Sequence, residues 1–155
     1  MTLCEKILQK LAALNLTLGT AESCTGGMIA AEIVSVPGAS AVFKGGVVSY
    51  ANEVKQHVLG VSEETLEQYG AVSEACVREM LDGACRTLNV DCAAAVSGVA
   101  GPDGGTPEKP VGTVYIGVKV CKKTVVERCR FDGGREKIRS RSAERALEIL
   151  FELIA

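Results

Sequence analysis

The sequence is poor in the residues that usually mark a metal centre or a histidine-based site. Histidine occurs once, as His57, in a chain of 155 residues. The seven cysteines are odd in number, none forms a CxxC pair, and none has a histidine at metal-ligand spacing. We therefore predict no metal site, and reduced cysteines that serve mostly as small residues of the core.

Long apolar runs and an excess of positive charge are also absent. Charged residues interrupt the first 16 residues, so this segment differs from a signal peptide, and no apolar run approaches membrane-spanning length. The net charge of −2 provides no general attraction to nucleic acid or to anionic membranes. We therefore expect a cytoplasmic protein, in which any anionic ligand is attracted by a local cluster of cations.

Composition and length are those of a single globular domain. Hydrophobic residues make up 47% of the chain and charged residues 23%, which is ordinary for a protein with a buried core. No internal repeat, low-complexity tract or linker divides the sequence. We predict one domain over residues 1–155.

Hydrophobic periodicity predicts helices that alternate with strands. Helices are predicted over 2–15, 28–36, 62–70, 73–88 and 143–154, strands over 16–21, 42–50 and 91–97, and a hairpin from 113–121 and 124–131. Residues 52–60 are a short segment of mixed character. This order predicts an α/β protein, specifically a three-layer α/β/α sandwich with a mixed, mostly parallel sheet.

Three segments with chemically useful residues follow predicted strands. They are TAESCTGG (20–27), SYANEVK (49–55) and GVAGPDGGTPEKP (98–110). Ligands of open α/β sheets bind beyond the carboxyl ends of parallel strands, so we expect the three segments to meet there. The third is neither a P-loop nor a GxGxxG motif, but its length favours a binding role over that of a plain surface loop.

The hydroxyls of TAESCTGG have two interpretations. For an arbitrary sequence, Ser23 or Thr25 is more simply a helix N-cap. A hydroxyl at a strand-to-helix turn is also placed as a nucleophile, because the first N–H groups of the helix can hold an oxyanion or a phosphate.

A serine nucleophile needs a base, and the sequence offers few. His57 has no carboxylate placed to orient it, so a Ser-His-Asp triad is weakly supported. A desolvated Lys55 next to Tyr50 is the alternative, because a lysine shielded from water binds its proton less tightly. Taken alone, a lysine in this position is more often a solvated surface residue, and a tyrosine like Tyr50 an aromatic at a strand end.

Several motifs together resemble a known family. TAESCTGG, GGVVSYANEVK, GAVSE, SGVAGPDGGTPEKPVGTVYIG and FDGGREKIR occur in the order, and near the spacing, of the CinA C-terminal domain, the family of nicotinamide-nucleotide amidases. The resemblance covers essentially the whole chain, without the additional N-terminal domain of longer CinA proteins, so a stand-alone form is expected. It implies hydrolysis of nicotinamide mononucleotide to nicotinate mononucleotide and ammonia in NAD recycling, without a cofactor, in a protein that commonly forms a homodimer.

The resemblance also implies which residues react. Ser23 is the nucleophile, and Lys55 accepts its proton directly or through Tyr50. Cys24 is intrinsically the better nucleophile, so the choice of Ser23 over Cys24 rests partly on the family pattern. Backbone amides near Thr25 and the two glycines that follow it are expected to stabilise the oxyanion.

Binding of the substrate is expected to use polar groups near the same loops. The predicted substrate-binding residues are Glu22, Thr25, Gly26, Gly27, Gly46, Gly101, Arg135 and Arg139, and Asp103 is a further candidate. Four cations at 135, 137, 139 and 141 lie at the start of the last helix, and Arg135 and Arg139 share one face. They either bind the ribose 5′-phosphate or form a solvated basic face.

One position departs from the family pattern. Similar proteins usually have Asp or Asn where this chain has Gly134, which therefore lacks a side chain to cap the last helix or orient Arg135. Two other functions stay open at this point: a non-catalytic CinA-like domain that binds a nucleotide or a protein, and an amidase for another small amide.

Overall fold

Five strands form one mixed sheet in the computed structural model, which describes residues 1–155. The strands are β1 Leu18–Glu22, β2 Phe43–Val48, β3 Cys92–Gly98, β4 Thr113–Val120 and β5 Lys123–Arg130, in the order β2-β1-β3-β4-β5. β1 is parallel to β2 and β3, whereas β4 is antiparallel to β3 and β5. The mixed α/β fold is confirmed. The parallel majority is not seen in the pairings, which divide evenly because the C-terminal hairpin supplies two strands without a crossover helix.

Six α-helices accompany the sheet. They are α1 Leu3–Ala13, α2 Met28–Val34, α3 Asn52–Leu59, α4 Glu63–Gln68, α5 Glu74–Leu88 and α6 Arg135–Ile154. Ser62 and Ser73 cap α4 and α5 through their side chains, as N-cap residues do.

Segment 52–60, which has no clear pattern in the sequence, is the helix α3. The reason is that its buried side is narrow and includes a charged residue: Lys55 and Leu59, one turn apart, are the buried residues of this helix. Two buried residues, one of them charged, do not produce the apolar periodicity that indicates a helix in a sequence. Gly60 ends the helix in a left-handed conformation.

Helices pack on both faces of the sheet. One apolar cluster joins α1, α2 and α6 to one face, and a second joins α5 and the end of α3 to the other. Residues of β3 alternate between them: Cys92, Ala94 and Val96 belong to the first cluster, and Ala93 and Ala95 to the second. We call these the α6 face and the α5 face.

A glycine sets the closest helix contact on the α5 face. A side chain at Gly83 in α5 would overlap the backbone of Leu59 at the end of α3. The two helices therefore touch through their backbones at this point. Because Lys55 is one turn before Leu59, this contact also fixes where Lys55 lies.

The cysteines are unpaired, and Cys4, Cys24, Cys76 and Cys92 are buried. No group of three or more His, Cys, Asp or Glu residues in the chain could hold a metal ion. No helix has both the length and the apolar composition that a bilayer crossing requires.

Candidate active site

The ends of three parallel strands meet where the site is built. Ser23 follows β1, Ser49 follows β2, and Ser97 lies near the end of β3. The amide of Ser23 donates to the Val96 carbonyl at 3.0 Å, and the amide of Ser49 donates to the Glu22 carbonyl at 2.8 Å. The first bond extends the pairing of β1 with β3 by one residue beyond β1, and the second extends the pairing of β2 with β1 by one residue beyond β2. Ser23 is thus held beside β3.

Lys55 reaches this edge from α3 and contacts Ser23 directly. Its Nζ lies 2.9 Å from Ser23 Oγ, 2.8 Å from the Ser49 carbonyl and 3.1 Å from the Tyr50 carbonyl. The residue is only 1% exposed, and it forms no ion pair with a carboxylate. Burial therefore lowers the pKa of the Lys55 amine below its ordinary 10.5.

The three acceptors around Nζ suit a neutral amine as well as an ammonium ion. An ammonium donates one N–H to each of them. A neutral amine donates to the two carbonyls and turns its lone pair to the serine hydroxyl, which then donates to it. The same geometry can thus take the proton of Ser23 without moving a heavy atom.

Tyr50 contributes to this arrangement through its backbone. Its side chain is 62% exposed, and its hydroxyl accepts a hydrogen bond from Arg135 Nη2 at 3.2 Å. The hydroxyl makes no hydrogen bond to Ser23 or Lys55. Of the two routes for the serine proton, the geometry favours direct transfer to Lys55 over a relay through Tyr50.

Cys24 is buried, although it also lines the cavity. It belongs to the apolar cluster on the α6 face and is 5% exposed. Burial is the main reason that its thiol pKa rises from 9.0 to about 11. Because the thiolate is the reactive form of a cysteine, Cys24 is a poor nucleophile near neutral pH.

Glu22 holds the turn that follows Ser23. Its carboxylate accepts hydrogen bonds from Thr25 Oγ1 at 2.7 Å and from the amides of Gly27, Ile29 and Ala30 at 3.2, 2.9 and 3.0 Å. It therefore neutralises the start of α2, where N–H groups carry partial positive charge. Glu22 was predicted to bind the substrate, but its carboxylate is instead bound to the turn and to the first amides of α2.

The amides expected to bind an oxyanion differ in availability. The amide of Gly26 donates to the Ser23 carbonyl at 3.1 Å, and that of Gly27 donates to Glu22. Both glycines adopt left-handed conformations, with φ of 59° and 108°, that close the turn. The amide of Thr25 makes no hydrogen bond within the chain, so it remains the candidate donor for an oxyanion.

The four cations at positions 135, 137, 139 and 141 have different surroundings. Arg135 lies at the cavity, where it donates to the Gly101 carbonyl at 2.8 Å and to Tyr50. Arg139 lies behind the turn and donates to the carbonyls of Cys24 and Thr25. The other two cations, at 137 and 141, are exposed on α6 and do not line the cavity.

The remaining predicted residues differ in whether they contribute to the site around Ser23 and Lys55. Gly101 takes part through its carbonyl, which orients Arg135. Gly46 lies within the edge strand β2 opposite Thr20, before the end of the strand. His57 and Asp103 are exposed, and neither lines the cavity.

A cavity of about 290 Å³ opens beside Ser23 and Lys55. The four other cavities are larger, at about 380, 330, 500 and 570 Å³, but none of them is lined by a buried lysine. The chemistry therefore points to the smallest cavity. Its lining also includes Asn52, Ala71, Val72 and Ser97, which sequence reasoning did not single out.

Ser97 could have been found from the sequence. It is buried and lies one residue before the end of β3, which pairs with β1 in register so that Val96 lies opposite Glu22. A serine one residue after that pair must lie beside Ser23. The available signal was the hydroxyl at the end of an otherwise apolar strand.

Comparison with known proteins identifies the group to which this chain is similar. The family model described as "CinA C-terminal domain" matches residues 1–154. A "CinA-like protein" of Thermotoga sp. (strain RQ2) is 54% identical over 134 residues, which are 86% of this chain and 33% of that protein. Another from Kosmotoga olearia is 47% identical over 146 residues, 94% of this chain and 35% of that protein. The chain thus spans about a third of the length of these curated relatives.

Solved structures have the same fold over nearly their whole length. The competence/damage inducible protein CihA from Agrobacterium tumefaciens has a TM-score of 0.94 at 41% identity, covering 97% of this chain and 93% of that one. A CinA superfamily protein from Klebsiella pneumoniae 700603 has a TM-score of 0.94 at 38% identity, covering 98% and 95%.

Proposed function

The chain belongs to the family of CinA C-terminal domains, and from this we propose that it is a cytoplasmic serine amidohydrolase that deamidates nicotinamide mononucleotide. The products are nicotinate mononucleotide and ammonia, and the reaction recycles pyridine nucleotides. The proposal extends to a homodimer, as the family resemblance implies. One observation carries the chemistry: a buried lysine without a carboxylate partner lies 2.9 Å from a serine hydroxyl.

Acylation uses the Ser23–Lys55 pair. The neutral amine of Lys55 takes the hydroxyl proton, and Ser23 Oγ attacks the carboxamide carbon. The carbonyl oxygen becomes an oxyanion, which accepts a hydrogen bond from the amide of Thr25. The ammonium of Lys55 then gives its proton to the departing nitrogen, so that ammonia leaves and a nicotinoyl ester remains on Ser23.

Deacylation repeats these steps with water. Lys55, neutral again, takes a proton from a water molecule whose oxygen attacks the ester carbon. The second oxyanion occupies the same place as the first. Its collapse breaks the bond to Ser23 Oγ, which recovers its proton from Lys55, and nicotinate mononucleotide leaves.

Arg135 is the proposed partner of the 5′-phosphate. Its guanidinium lines the cavity and is held by the Gly101 carbonyl and by Tyr50, which together use two of its five N–H donors. The remaining donors are available to an anion, and planar guanidinium groups suit phosphate oxygens. Arg139 is less suited, because it does not line the cavity.

The proposal is tested by mass spectrometry and by the release of ammonia. The protein is mixed with nicotinamide mononucleotide, quenched in acid and digested, and the peptide that contains residues 20–27 is examined for a nicotinoyl adduct. Ammonia and nicotinate mononucleotide should both appear, with the adduct on Ser23. Ser23→Ala should lower turnover by at least about 10³-fold, whereas Cys24→Ala should lower it less than tenfold.

Other outcomes would favour the other functions. A protein that binds the nucleotide in calorimetry but releases no ammonia would be a non-catalytic binding domain. Turnover of simple carboxamides in a substrate panel, but not of the mononucleotide, would indicate an amidase for another substrate. An adduct on Cys24 together with an active Ser23→Ala variant would reverse the assignment of the nucleophile.

A further inference from the structure

Arg139 connects α6 to the turn that carries the nucleophile. Its Nε donates to the Cys24 carbonyl at 2.8 Å, and its Nη2 donates to the Thr25 carbonyl at 3.3 Å. The side chain is half-buried and forms no ion pair with a carboxylate. A guanidinium bound only to backbone carbonyls of one turn suits the task of fixing that turn.

Peptide geometry links Arg139 to the amide that the reaction needs. The Cys24 carbonyl and the Thr25 N–H belong to the same peptide group. In a trans peptide these two groups lie in one plane and point in opposite directions. Because Arg139 holds the carbonyl toward α6, the Thr25 N–H is directed away from α6.

The rest of the turn leaves this amide free. The Thr25 side chain is held by Glu22, its carbonyl accepts from the Met28 amide at 3.1 Å, and its own amide makes no hydrogen bond in the chain. The positive charge of Arg139 on the carbonyl also polarises the peptide, which strengthens its N–H as a donor. Glycine suits position 26 beside Arg139, because its φ of 59° is left-handed and an added Cβ would lie 3.3 Å from Nη2.

We infer that Arg139 is a positioning residue that aims and polarises the oxyanion-binding amide of Thr25. The inference rests on the proposed amidohydrolase function and adds a residue to it. It replaces the expectation that Arg139 binds the substrate phosphate. A positioning role affects the chemical step whatever the substrate carries, whereas a phosphate contact affects only phosphorylated substrates.

The test compares two substrates and one substrate-independent probe. Steady-state kinetics are measured with nicotinamide mononucleotide and nicotinamide riboside, and the rate of labelling of Ser23 by a fluorophosphonate is followed by mass spectrometry. In Arg139→Met, kcat should fall about 30- to 100-fold on both substrates, below the 10²–10³-fold loss of a whole oxyanion donor. KM should change less than threefold, and labelling should slow by at least tenfold.

Two further variants keep the test decisive. Arg139→Lys retains the charge but lacks the planar guanidinium that binds two carbonyls at once, so it should recover only part of the kcat lost in Arg139→Met. It replaces the Met variant in the test if that variant does not fold. Arg141→Gln is the matched control on the same helix. Its guanidinium is exposed and contacts only Glu144 and the Phe131 ring, so both activities should stay unchanged.

The outcomes separate this inference from the proposed function. A higher KM for the mononucleotide alone, with normal kcat and labelling, would assign Arg139 to phosphate and overturn the inference, as would a Met variant with full kcat. Labelling of the wild-type protein without turnover of the mononucleotide would contradict the proposed substrate, while the labelling rates would still decide the role of Arg139. A wild-type protein that neither turns over nor reacts with the probe would overturn both.

Discussion

At the scale of single residues, the sequence indicated the proposed reactive groups but not their environment. Ser23, Tyr50 and Lys55 could be named from their motifs. The burial of Lys55 could not, because the helix that carries it has a narrow buried side and no clear apolar pattern. The raised thiol pKa of Cys24 likewise depends on a burial that its motif does not reveal.

The lowered pKa of Lys55 predicts how activity depends on pH. Only the neutral amine can accept the serine proton, so kcat/KM should rise with pH and reach a plateau above the pKa of Lys55. That inflection should lie below 10.5, the ordinary lysine value, because burial disfavours the ammonium form. The measurement is a pH profile of kcat/KM over the range in which the fold is stable.

The same shift predicts a change in stability with a definite sign. Between the lowered pKa and 10.5, the unfolded chain binds more protons at Lys55 than the folded one. The free-energy contribution of this residue to stability therefore increases as pH rises through that window. An activity inflection at or above 10.5 would contradict both statements.

Tyr50→Phe tests the direct transfer of the proton. The variant loses the hydroxyl that binds Arg135 but keeps the carbonyl that binds Lys55. We expect turnover to stay within about fivefold and KM for the mononucleotide to rise about two- to tenfold, the effect of one lost hydrogen bond. The pH profile should keep the same inflection. If turnover instead fell by about 100-fold or more at constant KM, a relay through the tyrosine hydroxyl would be indicated.

At the scale of the elements, a contact between the backbones of α3 and α5 places the proposed catalytic lysine. The sequence predicted most helices and strands because their apolar periodicity is clear. It could not predict the contact between α3 and α5, since a glycine inside a helix carries no signal of its neighbour. That contact and the N-terminus of α6 give two predictions.

Gly83→Ala should destabilise the protein and slow catalysis. Alanine favours a helix over glycine by about 1 kcal/mol, but its methyl group would overlap the Leu59 backbone. We expect a net loss of about 1–2 kcal/mol in the free energy of unfolding. Displacement of Lys55 should lower kcat by about 10- to 100-fold. Denaturant unfolding and steady-state kinetics measure the two effects.

Arg78→Ala is the control for this change, because Arg78 lies on the same helix and makes only an exposed pair with Glu74. It should alter stability by no more than about 0.5 kcal/mol. A Gly83→Ala variant that is more stable and fully active would refute the importance of the contact.

Gly134→Asp should stabilise the protein. Gly134 is the N-cap of α6, has extended backbone with φ of −80°, makes no side-chain cap, and has open space around an added Cβ. A carboxylate there would accept hydrogen bonds from free amides of the first turn and interact favourably with the helix dipole. Together these effects should raise the free energy of unfolding by about 0.5–1 kcal/mol. Calorimetry should show a Tm about 2–3 °C higher. The neighbouring Gly133→Asp is the control and should lower Tm, because Gly133 has a left-handed φ of 107°. A lower Tm in the Gly134→Asp variant would contradict the assignment of Gly134 as the cap.

At the scale of the whole molecule, β3 joins the two halves of the core. Its residues alternate between the α6 face and the α5 face, so neither apolar cluster can form without this strand. The layered order of the elements followed from the sequence. The contacts of Arg135 with Gly101 and Tyr50 did not, because they join residues 34 and 85 positions apart.

This shared strand predicts a single cooperative unfolding transition. Far-UV circular dichroism reports the helices on both faces. Tyrosine fluorescence, which no tryptophan obscures in this chain, reports the α5 face through Tyr115, which packs against that cluster. The two signals should give the same midpoint in denaturant. Two separated midpoints would indicate that the faces unfold independently.

The location of Arg135 has a consequence for how such proteins diversify. The proposed reacting pair comes from the turn after β1 and from α3. The cation at the cavity comes from α6, and the apolar lining at 71 and 72 comes from the loop before α5. Mutations that exchange the recognised group can therefore accumulate at 71, 72 and 135 while the bond-breaking residues stay untouched. Proteins descended from one ancestral gene can in this way inherit a common reaction and diverge in the substrates that they accept.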